Sequence, residues 1–346
     1  MLGWKPKSYD PKVASVRFRC LVPLEELKAQ GFPVQLFDPG NEIEYEGVIF
    51  SKCYEPSDQA LALRLRGRGI PIVLDLCDNH FYNPEGLPAY QTVRQNLMKM
   101  IELADLITCS TPTLAEIVAK EARLDRLPDV VGDPVEFSNN DLPDQDRNGE
   151  NISLREKGTM RRLMWFGIHG SPNAPCGMTD VGRVADKLSL IGKKFPFELV
   201  ICSNNRETYE RHIRPLDFPS TYEEYNKEEF LSLLTGMDGV ILPVSQNSFT
   251  WAKSHNRLTT ALFAGVPVVA DGVPSYREFS EFCVLDDWQA GLHEILAEPG
   301  AARKKSLAGK KYIESKWMPV HIAERWRNLL QPLLSKTADS PEALTQ

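Results

Sequence analysis

The sequence predicts an α/β protein made of two doubly wound parallel sheets facing a cleft. Three observations carry this. Short runs rich in Val, Ile and Leu alternate along the chain with segments of helical period, the pattern of a parallel sheet with crossover helices. The alternation stops across residues 137–159, FSNNDLPDQDRNGENISLREKGT, which are polar and lack an apolar period, and it restarts at Arg162. The length, 346 residues, exceeds one ordinary domain and suits two.

Taken in order, Val13–Leu21 is the first expected strand, and Leu24–Gln30 its helix, stopped by Gly31. Val34–Phe37 and Gly47–Ser51 follow as strands, then Ser57–Arg68 as a helix ending at Gly69. Ile70–Leu76 is a strongly apolar strand that runs into Cys77-Asp78-Asn79-His80. Val93–Ala104 reads as a helix and Asp105–Ser110 as a strand. Thr111-Pro112-Thr113 starts the helix Leu114–Ala122, with Pro in the first turn, where its missing N–H costs nothing. Val130–Val135 closes the half, giving a first domain over 1–136 and a linker over 137–159.

The second domain, 160–319, repeats the scheme. Arg162–Gly167 is a strand leading into the loop Ile168–Asn173, Thr179–Ile191 a helix, and Phe197–Cys202 a strand. Phe218–Tyr222 precedes the helix Asn226–Thr235. The organising stretch is Val240–Val273, VILPVSQNSFTWAKSHNRLTTALFAGVPVVADGV. Val240–Val244 is a buried strand in this reading. Ser254 caps a helix whose body, Arg257–Ala264, carries Leu258, Ala261, Leu262 and Phe263 on its apolar side. Gly265 ends it in the left-handed conformation usual after a helix, and Val266–Ala270 is the next strand. Ser275–Glu281, Gly291–Leu296 and Ala301–Lys316 are further helices, with Cys283–Leu285 a short strand between. Val320–Leu334 is amphipathic, with Ile322, Trp326, Leu329 and Leu330 on one side, and residues 336–346 form a tail.

Composition narrows the function classes. The formal charge of −7 argues against nucleic acid as a partner, although local basic loops still bind phosphates. The seven Cys are scattered through apolar runs without a CxxC or Cys/His cluster, which points to free thiols in a reducing compartment. No apolar run has the length of a bilayer-spanning helix, and MLGWKPKSYD has no signal-peptide core. A cytoplasmic protein is expected, with peripheral membrane association and oligomeric state left open.

The loop Lys253-Ser254-His255-Asn256-Arg257 puts two cations at a helix start, where free N–H groups and the dipole attract anions. Alone, it is equally an ordinary crossover with a solvated basic turn. The segment KSHNRLTTALFAGVPVVADGVPSYREF resembles the donor-binding segment of GT-B glycosyltransferases of the large retaining family 4, the glycosyltransferase group 1 type. There K-x-x-N-R-L precedes A-L-x-x-G-x-P-V-V-A. ASVRFRCLVPLEELKAQGFPVQLF resembles the opening of such chains, and DLCDNHFYNPEG and ADLITCSTPTLAEIV occur in similar form in their first halves. The resemblance implies two Rossmann-like domains, a nucleotide-diphosphate sugar as donor substrate, no cofactor and no metal. It also implies that helix 320–335 packs back on the first domain.

On this resemblance Lys253 and Arg257 stabilise the leaving nucleotide, with Ser254, His255 and Asn256 around them; His255 is expected to be exposed. Thr260 stands where the family's helix carboxylate holds the ribose, and the loop glutamate is missing too. Gly167, His169 and Gly170 allow close backbone approach to the donor phosphates, although the Arg and Lys common in that loop are absent. Arg206 and Tyr222 are candidates for the nucleotide base. Asp78 and His80 face the cleft as acceptor base or orienting groups; the alternative is that Asp78 and Asn79 simply form a turn. The expected activity is transfer of a sugar to a hydroxyl of a glycan, lipid-linked saccharide or small metabolite, with retention. The missing glutamates keep open a non-catalytic sugar-nucleotide-binding partner of a transferase, and a sugar-nucleotide epimerase is a third reading.

Overall fold

The computed structural model describes residues 1–143, 160–168, 170 and 176–338. The chain forms two compact units. Unit 1 comprises Met1–Glu136, the three residues Ala252–Ser254, and the chain from Trp317 onward. Unit 2 comprises Phe137–Trp251 and His255–Lys316. Of the expected linker, 144–159 lies outside the described residues. Phe137, ahead of it, is buried and stacks on Phe230, with centroids 6.0 Å apart.

Unit 1 opens with strand β1 (Leu2–Pro6), which sequence reasoning passed over because LGWKP is short and holds both Gly and Pro. Val13–Leu21, the expected first strand, is helical. The turn α1 (Ala14–Val16) runs through a π-helical stretch, Arg17–Leu21, into helix α2 (Val22–Ala29). The correction has a physical cause. Phe18 and Cys20 alternate with Arg17 and Arg19, which imitates a half-buried strand, yet the arginines are buried as well. Arg17 pairs with Glu136 and Arg19 with Asp75 and Asp133, so no polar face exists. Gly31 ends α2 at φ +73°, as expected.

The remaining elements of unit 1 are β2 (Val34–Leu36), β3 (Gly47–Ser51), α3 (Pro56–Gly67), β4 (Ile72–Leu76), α4 (Pro88–Leu103), β5 (Leu106–Cys109), α5 (Pro112–Ala122) and β6 (Asp129–Val130). They form a parallel sheet in the order β2-β1-β3-β4-β5-β6. Strands β3 and β4 are buried along their whole length, which is why they read as continuous apolar runs. Thr111 caps α5 by accepting the Leu114 N–H at 3.1 Å.

Unit 2 contains β7 (Arg161–Phe166), a 3₁₀ segment Met178–Val184, α6 (Ala185–Gly192), β8 (Phe197–Ser203), α7 (Arg206–His212), β9 (Ser220–Glu224), α8 (Lys227–Thr235) and β10 (Gly239–Leu242). There follow α9 (Ser248–Trp251), α10 (Asn256–Phe263), β11 (Val268–Ala270), β12 (Val284–Leu285), α11 (Trp288–Ala297) and α12 (Pro299–Lys316). The sheet is parallel in the order β12-β11-β10-β7-β8-β9. The expected C-terminal helix is α13 (Pro319–Ala338) and belongs to unit 1. Its Trp326 meets Trp4 of β1 edge-on, with centroids 5.0 Å apart.

Candidate functional site

In unit 2 the winding reverses between β7 and β10, which are neighbours in the sheet but carry crossovers to opposite sides. Ligands of open α/β sheets bind beyond the carboxyl ends of strands at such a point. Two expected site segments flank it. Gly167 follows β7 at φ +150°; its N–H donates to the Cys202 carbonyl at 3.2 Å and its carbonyl accepts from the Ser203 hydroxyl at 2.7 Å. Gly170 sits at φ +121°, and a Cβ there would stand 2.5 Å from the Cys176 carbonyl oxygen. No other residue fits. His169, between them, lies outside the described residues.

After β10 comes α10. Its N-cap is His255, not Ser254, and Asn256 and Arg257 are its first helical residues. The Arg257 guanidinium reaches back to β7: a Cβ on Gly167 would lie 3.4 Å from its Nη1. It also hydrogen-bonds the buried Tyr276 hydroxyl, which burial pushes up and Arg257 pulls down. Among the described residues no carboxylate forms a salt bridge with Arg257. A half-buried cation, a glycine turn and a helix N-terminus therefore converge, a combination chemically suited to an anion. Tyr276 was not singled out from sequence; its place in YREF gave no signal beyond a helix start.

Other expected residues of unit 2 are placed differently. His255 is buried, not exposed, with its ring edge-on to Phe279 at 5.2 Å. Thr260 donates its hydroxyl to the Asn256 carbonyl one turn back at 2.7 Å, so that hydroxyl is engaged within its own helix. Arg206 and Tyr222 do come together, the guanidinium 4.7 Å from the ring centroid. The Tyr222 hydroxyl lies 2.8 Å from the Ser203 carbonyl and 2.9 Å from Glu224 Oε2. Burial, reinforced by Glu224, raises its pKa.

Unit 1 carries a second cluster, beyond β3 and β4. Asp78 accepts from the ammonium groups of both Lys52 and Lys253. Burial alone would raise its carboxyl, but Lys253 and Lys52 outweigh it and hold the pKa well below the usual range. His80 Nδ1 shares a hydrogen bond with the Tyr54 hydroxyl. Burial, with Lys52, Lys7 and Lys253 adding to it against Asp78, pushes the imidazole down to about 4. It is neutral at pH 7.

Ser254 donates to Asp133 rather than capping a helix, and Thr111 donates to the Ala252 carbonyl at 3.0 Å. The segment Ala252–Ser254 is thus hydrogen-bonded at each residue within unit 1. Lys52 was missed from sequence: it directly follows β3, at φ +57°. Its position after a strand was the available signal. Among the described residues no group of three or more His, Cys, Asp or Glu is placed to hold a metal ion, and no helix is long and apolar enough to cross a membrane.

No protein-family model matches the chain, and no curated protein matches it in sequence. Solved structures do. HepE from Anabaena in complex with UDP superposes with a TM-score of 0.65 over 96% of this chain and 99% of that one, at 14% identity. The same protein with UDP-glucose gives 0.62 at 14% identity, over 96% and 99%. Sucrose-phosphate synthase from Thermosynechococcus elongatus gives 0.61 at 14% identity, over 95% of this chain and 81% of that one. At these identities the likeness establishes the fold, the pair of doubly wound units of the GT-B class.

Proposed function

We propose that the protein is a glycosyltransferase that moves a sugar from a nucleotide-diphosphate donor to a hydroxyl acceptor. The observation that carries this is Arg257, set in the first turn of α10 against the Gly167 turn at the switch point of unit 2. A diphosphate placed there receives a guanidinium, free N–H groups and the positive end of a helix. Charge that develops on the leaving nucleotide meets the same groups, and such stabilisation is usually the largest catalytic contribution. Because HepE has been captured with UDP and UDP-glucose, uridine donors are the first to try.

The acceptor side favours retention. A general base works best with a pKa near the working pH. Asp78 is held ionised between two lysines, and His80 titrates at about 4, so neither is poised to take a proton at pH 7. In a retaining reaction the donor phosphate accepts that proton, and Asp78 and His80 need only orient the acceptor. Lys253 is already paired with Asp78 within unit 1, which leaves Arg257 as the cation that carries the leaving-group proposal. Metal-independent chemistry, a cytoplasmic setting and a glycan, lipid-linked or small-molecule acceptor complete the proposal.

A thermal-shift series with UDP-, GDP-, ADP- and dTDP-sugars tests it, since a ligand that binds the native state raises its melting temperature. One nucleotide class should stabilise the wild type, and Arg257→Ala should weaken that binding by roughly tenfold to a hundredfold, the worth of about 1.5–3 kcal/mol for a charge-assisted hydrogen bond. No shift with any donor would remove the basis of the proposal. The second reading, a non-catalytic sugar-nucleotide-binding partner of a transferase, draws on Thr260, whose hydroxyl is turned into its own helix where a ribose-binding carboxylate would stand. Donor binding without turnover in the presence of glycan, lipid-linked and small-molecule acceptors would favour it.

A further inference from the structure

The lysines of unit 1 gather where its own sheet reverses. The order β2-β1-β3 sends the first crossover to one side of β1 and all later ones to the other. Strands β1 and β3 therefore flank a switch point, and the crevice beyond their carboxyl ends is a place where ligands bind. Lys7 follows β1, and its N–H donates to the Ser51 carbonyl at 3.0 Å; Lys52 follows β3 directly. The Lys7 ammonium lies 6.0 Å from the centroid of the Tyr54 ring, whose hydroxyl meets His80.

Charge in this crevice does not balance. Lys5 has its own carboxylate, Asp58, at 2.6 Å. Lys52 shares Asp78 with Lys253. Among the described residues no carboxylate pairs with Lys7. Lys7 and Lys52 thus bring two positive charges against a share of one negative charge, and the neutral imidazole of His80 adds none.

The backbone gives a second indication. Lys52 stands at φ +57°, where a side chain costs about 1–2 kcal/mol relative to ordinary helical or extended backbone. The backbone bond made there, Lys52 N–H to the Asp75 carbonyl at 2.9 Å, is one that glycine would make without strain. Such strain is enriched at binding and catalytic positions, although Arg123 at a helix end and Asp286 also adopt positive φ, at +53° and +67°. The ammonium is what a lysine adds.

We propose that this crevice binds a phosphate dianion, with Lys7 and Lys52 as its cations and the His80 ring beside them. A phosphate monoester carries about 1.5–2 negative charges near neutral pH, enough to neutralise the excess that Lys7 and Lys52 leave after Asp78 is shared. It arrives either as the phosphate of a phosphorylated acceptor or as free phosphate. The acceptor assignment rests on the glycosyl-transfer reading, whereas the anion site does not.

Isothermal titration of the full chain with inorganic phosphate, glucose 6-phosphate and glucose tests this, alongside UDP as an independent probe of unit 2. Phosphate should bind the wild type, Lys52→Gln should weaken it at least tenfold, and Lys7→Gln several-fold, with UDP affinity the same in all three proteins. Lys7 is exposed, so its variant reports on binding even where Lys52→Gln fails to fold. Tighter binding of glucose 6-phosphate than of phosphate supports the site as one for a phosphorylated acceptor, and equal binding supports it as one for free phosphate. No phosphate binding by the wild type, or affinity unchanged in the variants, overturns the proposal. Absence of UDP binding with phosphate binding intact would count against the donor reading alone.

Discussion

His80 shows how a single side chain takes its chemistry from its surroundings. An imidazole in water titrates near 6.5, but burial and three lysines hold this one at about 4. Between those values the unfolded chain binds a proton that the folded one refuses, so folding stability rises with pH across that window. The effect amounts to at most about 3 kcal/mol at 1.36 kcal/mol per pH unit. Urea unfolding of the wild type and His80→Gln should show a shallower rise from pH 4 to 6.5 in the variant; equal slopes would mean that His80 titrates normally. Asp78 works in the same direction at lower pH. Its depressed pKa contributes stability that is present above about pH 4 and lost only as pH falls through the lower folded value. None of this could be read from D-N-H in the chain. The tripeptide is a fair turn signal, whereas both pKa values depend on Lys52 and Lys253, which are far from it in sequence.

At the level of elements, strands buried on both faces and glycine stops were legible because they need only local information. Gly31, Gly69 and Gly265 adopt the positive φ that ends a helix, at +73°, +76° and +68°. The N-terminal helix was misread because buried ion pairs made Arg17 and Arg19 look like an outward face. Close packing between elements was not legible either. Gly239 in β10 is a case: a Cβ there would come within 2.6 Å of Ile295 Cγ2 from α11, and 3.3 Å of Leu163 Cδ2 from β7. Gly239→Ala should therefore destabilise unit 2 by about 1–3 kcal/mol through overpacking. Denaturant midpoints measure this, and an unchanged midpoint would show that Ile295 gives way freely.

On the scale of the whole chain, unit 1 is assembled from three stretches. Helix α13 supplies Ile322, Ala323, Trp326 and Leu330 to its core, and Trp326 also lies 5.7 Å from the Arg19 guanidinium. Trp326→Ala should cost about 3–5 kcal/mol, a large share of a domain's stability. Fluorescence and circular dichroism unfolding curves should show the transition of unit 1 moved to lower denaturant, with that of unit 2 in place. A shift of unit 2 instead would contradict the division of the chain.

Local sequence by itself determined the fold class. Alternating apolar runs, helical periods and glycine stops are short-range consequences of strand and helix geometry, so two doubly wound sheets followed from them. It also marked the helix start at Arg257, because a cation beside the first helical residues attracts anions in any context. Only the tertiary structure decided what each charge faces. Arg257 lies against Gly167 from another strand, and Asp78 is divided between Lys52 and Lys253. Ser254 turns to Asp133 instead of capping its helix. The physical reason is that electrostatic partnership depends on distance in space, and the residues that neutralise or expose a charge here are tens to well over a hundred positions away along the chain.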